Sequence, residues 1–540
     1  MMKKLTFILL TICALNLIST SAQETNWGVE FSEAIMYRHP NTINDMTHKG
    51  WEYSNSIVLY GMIKIYNYTH NPAYLEYVKK YVDDFVSASG NISFDSSANN
   101  LDHLHPGLLL NYLYRETGIE KYKKAADIIR SEFDKQPRNP SGGFWHKQRY
   151  PNQMWADGIY MAEPFLLEYG SMFNDMEYAT SEATKQTTLL AAHAYDESNH
   201  LIYHGWDETK EAPWADANGR SPEVWSRGMG WYCMALVDMM DLLPVDDPKY
   251  EEFLSLVQGL AQGIKENQDA STGLWYQVVD KGNLSSNWIE TSGSAMFIYM
   301  LKKARDNGYI DDSYDAVIAK GWEGMQNKIT LDSKKMPVIN GFVGGMGIKD
   351  NYSSYVGEST VSAPPSAHPH GYCAILSLAS VMEWPKERVY NLNVDIVSKG
   401  KVINPYKSTA YMPGEYIKLT ARPETGYEFD GWTGDVTDTD SVIYVKMDAS
   451  KSVTAHFSTI ASTQKTTSGT LQVYPNPVTD RLHFKSVEPE SSYRIVSIEG
   501  KTVQEGNIKS TPEFSINVGG LPQGMYVLKS GQDQISFIKE

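Results

Sequence analysis

Apolar residues recur three and four positions apart from about Trp27 to Trp384, with few β-branched runs between them. This spacing places apolar side chains on one helical face and predicts a series of helices. Asn71 before Pro72 suits a helix start, and Gly118 separates two predicted helices. The predicted helices cover about residues 53–68, 72–86, 102–117, 119–133, 152–170, 173–195, 224–243, 248–266, 288–306, 310–327 and 370–383.

With one or two further helices before residue 70, the helical region is expected to hold about twelve helices. Helices joined alternately by short and long loops are typical of an α/α toroid, in which an inner ring of helices is surrounded by an outer one. We therefore predict an all-α (α/α)6 toroid over residues 23–388, with its functional site at one open mouth.

The pattern changes after Trp384, where apolar and polar residues alternate as they do in strands. The segment 416–420 shows this alternation, and turn-forming residues separate such segments. Residues 389–458 are therefore predicted to form a small all-β domain. The Ser/Thr-rich segment 459–470 has no apolar period and indicates a flexible linker. Residues 471–540 are predicted to form a second small all-β domain.

The N-terminal segment, residues 1–22, has the pattern of a secretory signal peptide. Two lysines precede an apolar run from Leu5 to Ile18, and the small residues 20–22 suit a cleavage site. A membrane anchor is the alternative, but an anchor needs about 20 apolar residues and this run is shorter. We expect the mature chain to begin near Gln23, to have no transmembrane segment, and to be secreted or held at the cell surface.

The charge balance argues against nucleic acid as a partner. Lys and Arg total 48 and Asp and Glu total 65, which gives a formal net charge of −17. Nucleic acid binding requires a basic surface, and no basic stretch interrupts this acidic background. Cys233 and Cys373 remain after signal cleavage and lie in apolar, helix-like segments, so we predict buried thiols. No spacing typical of a metal site accompanies them, and neither a metal nor a cofactor is predicted.

The densest group of chemistry-bearing residues lies between Gly142 and Met161 and contains Trp155, Asp157 and Gly158. A carboxyl group beside a tryptophan, where a glycine allows close approach, can be partly desolvated, and desolvation makes it a usable proton donor. Asp157 is therefore a candidate general acid. Because Asp before Gly also caps helices and forms turns, a capping role is the alternative.

Other polar residues lie in similar aromatic, Gly-rich settings. Asp102 falls at the predicted start of a helix, where capping alone would also explain it. His204 precedes a Gly-Trp pair, and Arg227 lies between Trp225 and Trp231. A guanidinium binds a carboxylate through two parallel hydrogen bonds, which makes Arg227 the candidate for holding an acidic substrate. A structural ion pair is the alternative.

Together these motifs resemble the unsaturated glycuronyl hydrolases of glycoside hydrolase family 105, with family 88 a more distant likeness. The likeness covers about residues 27–385 and depends on Trp-x-Asp-Gly at 155–158, Arg-Gly-x-Gly-Trp at 227–231 and His-Gly at 370–371. It implies that Asp157 is the general acid/base and that Asp102 is a second essential carboxylate. It further implies a substrate pocket lined by Tyr53, Lys147, Trp155, His204, Trp225, Arg227, Trp231 and His370.

One stretch departs from the family pattern. In the stretch that leads to its final His-Gly, the family often has Asn-Asp-x-His-Gly. Residues 366–371 here read Ser-Ala-His-Pro-His-Gly instead. The loop of about residues 341–370 is expected to border the pocket. This departure leaves open whether the sugar that follows the uronic acid is that of the best-known pectic case or a different one.

Both C-terminal domains also resemble known modules. Residues 426–432 and 453–457 resemble the bacterial repeat related to the internalin B repeat, which implies a spacer or adhesion role. Residues 473–477, 498–501 and 521–526 resemble the C-terminal sorting domain of the Bacteroidetes type IX secretion system. This likeness implies recognition by the type IX secretion machinery and export across the outer membrane.

The resemblance also implies a reaction. Polysaccharide lyases leave a C4=C5 double bond in a terminal uronic acid, and Asp157 would protonate C4 while water adds at C5. The hemiketal would then open and expel the neighbouring sugar. The expected substrate is an unsaturated uronic-acid oligosaccharide, linked to rhamnose and derived from either rhamnogalacturonan or ulvan. A polysaccharide lyase, an ordinary inverting glycosidase on the same fold and a non-catalytic carbohydrate-binding protein are the alternatives.

Overall fold

The computed structural model describes residues 25–46, 48–244, 247–358, 360, 368–383, 390–404, 410–411, 416–459, 472–485, 492–497, 501–507, 514–530 and 533–540. The chain divides into two compact units. One unit extends to residue 424 and includes residues 429–457, and the other comprises residues 458–540 with residues 425–428. The predicted signal peptide lies outside the described residues, as does the predicted linker apart from its first residue.

Six inner segments form a closed ring in the described part of the helical region, because each packs against the next and the last packs against the first. Nearly all of the third and fourth segments is buried, as expected for helices enclosed on every side. In chain order the segments are α2 (Tyr53–Thr69), α4 (Gly107–Thr117), α6 (Ala156–Met172), α8 (Ser226–Met240), α10 (Thr291–Asp306), and α13 (Pro369–Tyr372) continued by α14 (Ile375–Met382).

A second layer of helices surrounds this ring, and each of its members packs mainly on one inner helix. Several of them bury a single face, which is the pattern of helices that lie between a core and solvent. The outer helices are α1 (Trp27–Arg38), α3 (Pro72–Phe85), α5 (Glu120–Glu132), α7 (Met176–Ala194), α9 (Tyr250–Glu266) and α11 (Asp315–Gln326). The short helix α12 (Tyr352–Val356) lies in the loop between α11 and α13.

The predicted all-α toroid is therefore confirmed, and so are two of the predicted helix boundaries. The Asn71 side chain accepts a hydrogen bond from the Ala73 amide at 3.1 Å and caps α3. Gly118 adopts a left-handed conformation with φ of 65° at the end of α4. The predicted helix over 102–117 begins later than expected. Leu101–His103 forms a separate 3-10 turn, and α4 begins only at Gly107.

Short antiparallel strand pairs lie in the loops between the helices. Strand β1 (Gln153–Trp155) pairs with β4 (Gly205–Asp207), β2 (Tyr195–Asp196) with β3 (Leu201–Ile202), and β5 (Ile329–Leu331) with β6 (Pro337–Ile339). The first pair matters most for the site, because it fixes the entry to α6 against a loop that follows α7.

The first β domain contains two small sheets in its described part. One sheet has the order β12–β10–β8 and is antiparallel, and the other has the order β11–β13–β7–β9, in which β13 and β7 run parallel. Leu419, Trp432 and Phe457 are among its buried residues. The strands are β7 (Tyr390–Val397), β8 (Gly400–Ile403), β9 (Ala410–Tyr411), β10 (Tyr416–Pro423), β11 (Tyr427–Gly434), β12 (Val442–Lys446) and β13 (Lys451–Thr459).

This β domain packs on the C-terminal end of α4, within the same compact unit as the helices. The guanidinium of Arg115 lies 4.5 Å from the ring centroid of Tyr416 and 5.1 Å from that of Tyr112. Lys446 donates a hydrogen bond to Glu116 at 2.7 Å. The C-terminal end of this inner helix is therefore covered by aromatic rings and an ion pair.

The C-terminal unit is a separate all-β structure. Its described strands form a three-stranded sheet of order β14–β15–β18 and a four-stranded sheet of order β17–β16–β19–β20, both antiparallel. The strands are β14 (Gln472–Tyr474), β15 (Arg481–Lys485), β16 (Ser492–Ser497), β17 (Thr502–Asn507), β18 (Phe514–Asn517), β19 (Gly524–Ser530) and β20 (Asp533–Lys539). Across the described residues, no helix has the length and apolar character needed to cross a bilayer.

Candidate active site

Several of the side chains singled out from the sequence lie in the first turns of inner helices. Tyr53 begins α2, Asp157 follows the first residue of α6, Arg227 follows that of α8, and His370 lies in α13. Tyr53 Oη lies 2.7 Å from His370 Nε2, and Arg227 donates to Ser292 in the first turn of α10 at 3.0 Å. The helix N-termini therefore meet at one mouth of the ring, where free amide groups and peptide dipoles favour an anion.

Asp157 is brought to His204 by the β1–β4 strand pair. Trp155 lies opposite Gly205 in that pair, and the Ala156 amide donates a hydrogen bond to the His204 carbonyl at 2.9 Å. Asp157 Oδ2 consequently lies 3.2 Å from His204 Nε2. The two atoms are not aligned for a hydrogen bond, and neither has another partner among the described residues. Asp157 is 9% exposed, so it is nearly buried yet incompletely paired.

The other nitrogen of His204 has a partner. Nδ1 lies 2.9 Å from Tyr355 Oη, in the short helix α12. If the phenol donates, Nε2 carries the hydrogen and faces an ionised Asp157; if Nδ1 donates, Nε2 can accept from a protonated Asp157. The two tautomers of His204 thus match the two protonation states of an acid/base at Asp157.

Gly158 and a stack of rings place His146 beside these groups. A Cβ atom at Gly158 would lie 3.0 Å from Leu101 Cδ1 and 3.2 Å from His146 Nδ1, so the glycine permits this close approach. Trp155 lies between His146 and Tyr150, with centroid distances of 4.4 Å and 4.6 Å and nearly parallel planes. Both faces of Trp155 are therefore covered, and the ring supports His146 instead of offering a face to a sugar.

Asp102 is buried beside Lys147, which donates a hydrogen bond to its Oδ2, while His146 Nε2 lies 3.6 Å from its Oδ1. Burial alone would raise the pKa of Asp102, but the charge of Lys147 and its hydrogen bond to the carboxylate outweigh burial and lower it. Burial lowers the pKa of His146 to about 4. At neutral pH, Asp102 is consequently an ionised carboxylate and His146 a neutral ring.

Arg227 is 1% exposed and already has several partners. Its Nη1 donates to Ser292 Oγ at 3.0 Å and to the Val343 carbonyl at 2.7 Å, and its Nη2 donates to the Gly344 carbonyl. Glu290 lies 3.9 Å away. The guanidinium therefore fixes the loop around residues 343–344. The carboxylate-binding role of Arg227 stays a prediction. Only the guanidinium N–H groups that do not take part in these contacts are available for it.

Trp225 and Trp231 are each 1% exposed and form the wall behind the site. Trp225 Nε1 donates to Gln277 at 3.1 Å. Trp231 stacks on Tyr160 at a centroid distance of 5.4 Å and meets the ring of Tyr53 edge-on at 6.3 Å. All ten site residues predicted from the sequence are thus connected at or behind this mouth, although their individual roles stay predictions.

Sequence reasoning missed several residues of the site, namely His48, His146, Gln277, Ser292 and Tyr355. His146 lies in the motif that drew attention to Asp157, and Tyr355 lies in the loop that was expected to border the pocket. These two positions therefore carried a usable signal. The departing residues 366 and 367 lie outside the described part of the chain, whereas His368 within the same stretch is described.

Among the described residues, one group has the composition and proximity to hold a metal ion, and it consists of His48, His368 and His370. The two cysteines are buried free thiols, as predicted. Burial raises the pKa of the Cys373 thiol to about 12, so this sulfur is a poor ligand at neutral pH.

Three family profiles match successive parts of the chain. The profile of Glycosyl Hydrolase Family 88 matches residues 27–383. The Divergent InlB B-repeat domain matches residues 390–461, and the Secretion system C-terminal sorting domain matches residues 472–540.

Individual proteins are similar as well. "Protein Atu3128" of Agrobacterium fabrum is 33% identical over 216 residues, covering 37% of this chain and 91% of that protein. "Unsaturated rhamnogalacturonyl hydrolase YesR" of Bacillus subtilis is 24% identical over 301 residues, covering 54% of this chain and 83% of that protein. The solved structure of a family 105 glycoside hydrolase of C. acetobutylicum has a TM-score of 0.61 and 30% identity, covering 66% of this chain and 99% of that one.

Proposed function

This chain belongs to Glycosyl Hydrolase Family 88, and on that premise we propose that it removes a 4,5-unsaturated uronic acid from the non-reducing end of oligosaccharides that polysaccharide lyases produce. The B. subtilis relative is named an unsaturated rhamnogalacturonyl hydrolase, which supports this substrate class. The chain also carries a C-terminal sorting domain, which indicates export.

The observation that carries the proposal is the incomplete pairing of Asp157. Its Oδ2 is buried, faces His204 Nε2 at 3.2 Å and has no aligned hydrogen bond among the described residues. Most buried carboxylates are fully paired, because an unpaired one is costly. A carboxyl group held in this state beside an adaptable histidine can donate a proton and recover it.

The proposed reaction consumes one water molecule. Asp157 gives its proton to C4 of the enol ether, and water adds at C5 while its proton returns to the Asp157 carboxylate. The resulting hemiketal opens by breaking the bond between C5 and the ring oxygen, which leaves a ketone at C5 and a hemiacetal at C1. The hemiacetal then expels the neighbouring sugar and becomes an aldehyde. One aspartate therefore serves as both acid and base, with His204 and Tyr355 adjusting to its charge.

The surroundings suit the carboxylate of the uronic acid. The mouth collects the N-termini of inner helices, which favour an anion. Arg227 lies within this mouth, and we assign to its remaining N–H groups a share in binding the substrate carboxylate. Asp102, kept ionised by Lys147, can accept a hydrogen bond from a sugar hydroxyl. Burial raises the pKa of Tyr53 well above its usual value, and the charges of Asp102 and Asp157 raise it further, so the phenol beside these carboxylates is neutral.

A rhamnose-linked uronic acid is the substrate we propose, and rhamnogalacturonan and ulvan are its two sources. The experiment incubates the mature enzyme with oligosaccharides from a rhamnogalacturonan lyase digest and, in parallel, from an ulvan lyase digest. Enoate absorbance and released sugar are followed together. We expect the absorbance to fall in step with sugar release in at least one digest.

Each alternative gives a different result in this assay. An ordinary glycosidase would release sugar while the enoate absorbance persisted, and a lyase would raise the absorbance on intact polymer. A carbohydrate-binding protein without activity would change neither signal. Any of these results would refute the proposed reaction.

A further inference from the structure

Three histidine rings converge at the mouth of the toroid, close to Tyr53 and Arg227. His48 lies between α1 and α2, and His368 and His370 lie at the start of α13. Their ring centroids form a nearly equilateral triangle, with distances of 5.0 Å, 4.9 Å and 5.0 Å. The ring planes meet at 49° to 72°, so the rings surround a common point instead of stacking.

The nitrogen atoms have the spacing of metal ligands. One ligand nitrogen from each ring can be chosen so that all three lie within 4.8 Å of one another. His368 Nδ1 and His370 Nδ1 are 3.3 Å apart. Two nitrogens bound to one tetrahedral zinc ion at its usual bond length are about 3.4 Å apart. The Nδ1 atoms of His368 and His370 thus already have the spacing of two ligands on one ion.

Hydrogen bonds fix the main chain at two of these histidines and the ring of the third. Asn55 donates a hydrogen bond to the His48 carbonyl at 2.8 Å, and the Gly371 amide donates to the His368 carbonyl at 3.2 Å. Tyr53 Oη lies 2.7 Å from His370 Nε2. If Nε2 donates to that phenol, Nδ1 keeps its lone pair and remains free to bind a metal, which is how neighbouring groups commonly orient a histidine ligand.

Charges of both signs surround the three rings. Arg227 lies near the rings and opposes a cation, whereas Glu52 favours positive charge at His48.

We propose that His48, His368 and His370 form a three-histidine site for a zinc-class divalent cation. Three neutral nitrogen ligands leave one tetrahedral position open, and that position suits an oxygen ligand such as water or a carboxylate. The sequence does not reveal the site, because His48 is remote from the other two histidines and their spacing matches no zinc motif. The proposal goes beyond the hydrolase function and does not depend on it.

The test uses the full mature protein, stripped of metal with a chelator and then titrated with zinc by calorimetry. We expect one zinc ion per chain, and we expect cobalt at the same site to give the intense visible spectrum of a tetrahedral complex. His368→Ala and His48→Asn should each lower zinc affinity by at least about tenfold. Circular dichroism and melting temperature, measured without metal, confirm that each variant is folded.

Two control variants distinguish this site from zinc bound elsewhere on the protein. His193→Ala, an exposed histidine on the outer helix α7, should leave zinc binding unchanged. Asp157→Asn should also retain zinc, because binding is measured without catalysis. Absence of saturable zinc binding, or equal affinity in the parent, His48→Asn and His368→Ala proteins, would overturn the proposal. Such a result would leave the hydrolysis assay, and hence the proposed function, untouched.

Discussion

Two aspartates in different regions of the helical ring are largely removed from solvent, and their surroundings differ. Towards the C-terminal halves of the inner helices, Asp238 accepts hydrogen bonds from Lys303 at 2.6 Å and from Tyr299 at 2.7 Å, and lies 3.4 Å from Lys64. At the N-terminal mouth, Asp157 Oδ2 faces the misaligned His204 nitrogen at 3.2 Å and has no hydrogen bond among the described residues. One aspartate is fully paired and the other is not.

This difference distinguishes a structural charge from a reactive one. Burial would raise the pKa of Asp238, but Lys303 and Lys64 outweigh it and lower the pKa to about 2. A group so strongly held cannot exchange a proton at neutral pH. In the part of the chain that the structure describes, no lysine or arginine forms an ion pair with Asp157, and its histidine partner can change tautomer. Partial pairing is expected to reduce stability while it preserves reactivity.

The largest expected effect comes from removing the acid at the mouth. Asp157→Asn should lower kcat by about 10²–10⁴-fold, because the amide cannot donate and recover a proton. Its melting temperature should stay close to that of the parent, since no aligned hydrogen bond is lost. Enoate decay under saturating substrate measures the first effect and thermal unfolding the second. Near-parental turnover would remove Asp157 from the acid/base role.

The converse result is expected for the paired aspartate. Asp238→Asn should lower the free energy of unfolding by about 3–5 kcal/mol, because Lys303 and Lys64 would lose a buried counter-charge. Activity per folded molecule should remain near that of the parent. Denaturant unfolding and an active-site titration provide the two readouts. If Asp238→Asn instead abolished turnover in a stable protein, the division of roles between the two regions would be wrong.

Arg227 combines both kinds of role and should show both effects. Arg227→Ala should lower kcat/KM by roughly ten- to a hundredfold, which corresponds to the loss of a charge-assisted contact. It should also melt earlier, because the carbonyls of Val343 and Gly344 would lose their donor. Arg227→Lys should recover only part of either loss. A folded Arg227→Ala enzyme with unchanged kcat/KM would eliminate the carboxylate-binding role.

The pH dependence of the free energy of unfolding should show the contribution of Asp238 separately. Because the pKa of Asp238 is depressed in the folded state, its stabilisation is present above the unfolded pKa and is lost as pH falls towards about 2. Between about pH 4 and pH 2 this loss should amount to about 2 kcal/mol. Unfolding free energies of the parent and of Asp238→Asn across this range measure it. Equal slopes for the two proteins would contradict the assignment.

The smallest catalytic effect is expected from the β domains. Residues 23–390 alone should retain kcat/KM within about tenfold of the mature chain, a change of less than about 1.4 kcal/mol. The truncated protein should melt somewhat earlier, since Arg115 and Glu116 would lose Tyr416 and Lys446. A larger loss of kcat/KM on a short oligosaccharide would show that the β domains contribute to the site.

The sequence predicted the parts of the structure that local pattern determines. Apolar spacing gave the helices, Asn71 and Gly118 marked two of their ends, and the Trp-x-Asp-Gly motif located Asp157. Such signals are local, because side-chain periodicity and capping act within a few residues. The start of α4 was misplaced since a 3-10 turn around Asp102 precedes it.

The remaining parts depend on contacts between distant segments. Tyr355 reaches His204 from a loop, and His48 meets His368 from the other end of the domain. Two of the partners of Arg227 are backbone carbonyls of a loop whose conformation no periodic pattern specifies. Pairing of this kind follows from the closed ring, in which the first and last inner segments are neighbours.

The most direct test of the proposed role of Asp157 is a crystal structure of Asp157→Asn with an unsaturated disaccharide bound. The sugar should lie at the N-terminal mouth, with its C4 atom within about 3.5 Å of the side chain at position 157. His204 should remain between this side chain and Tyr355. A sugar bound away from the mouth, or one that presents C1 to position 157 with C4 turned away, would contradict that role.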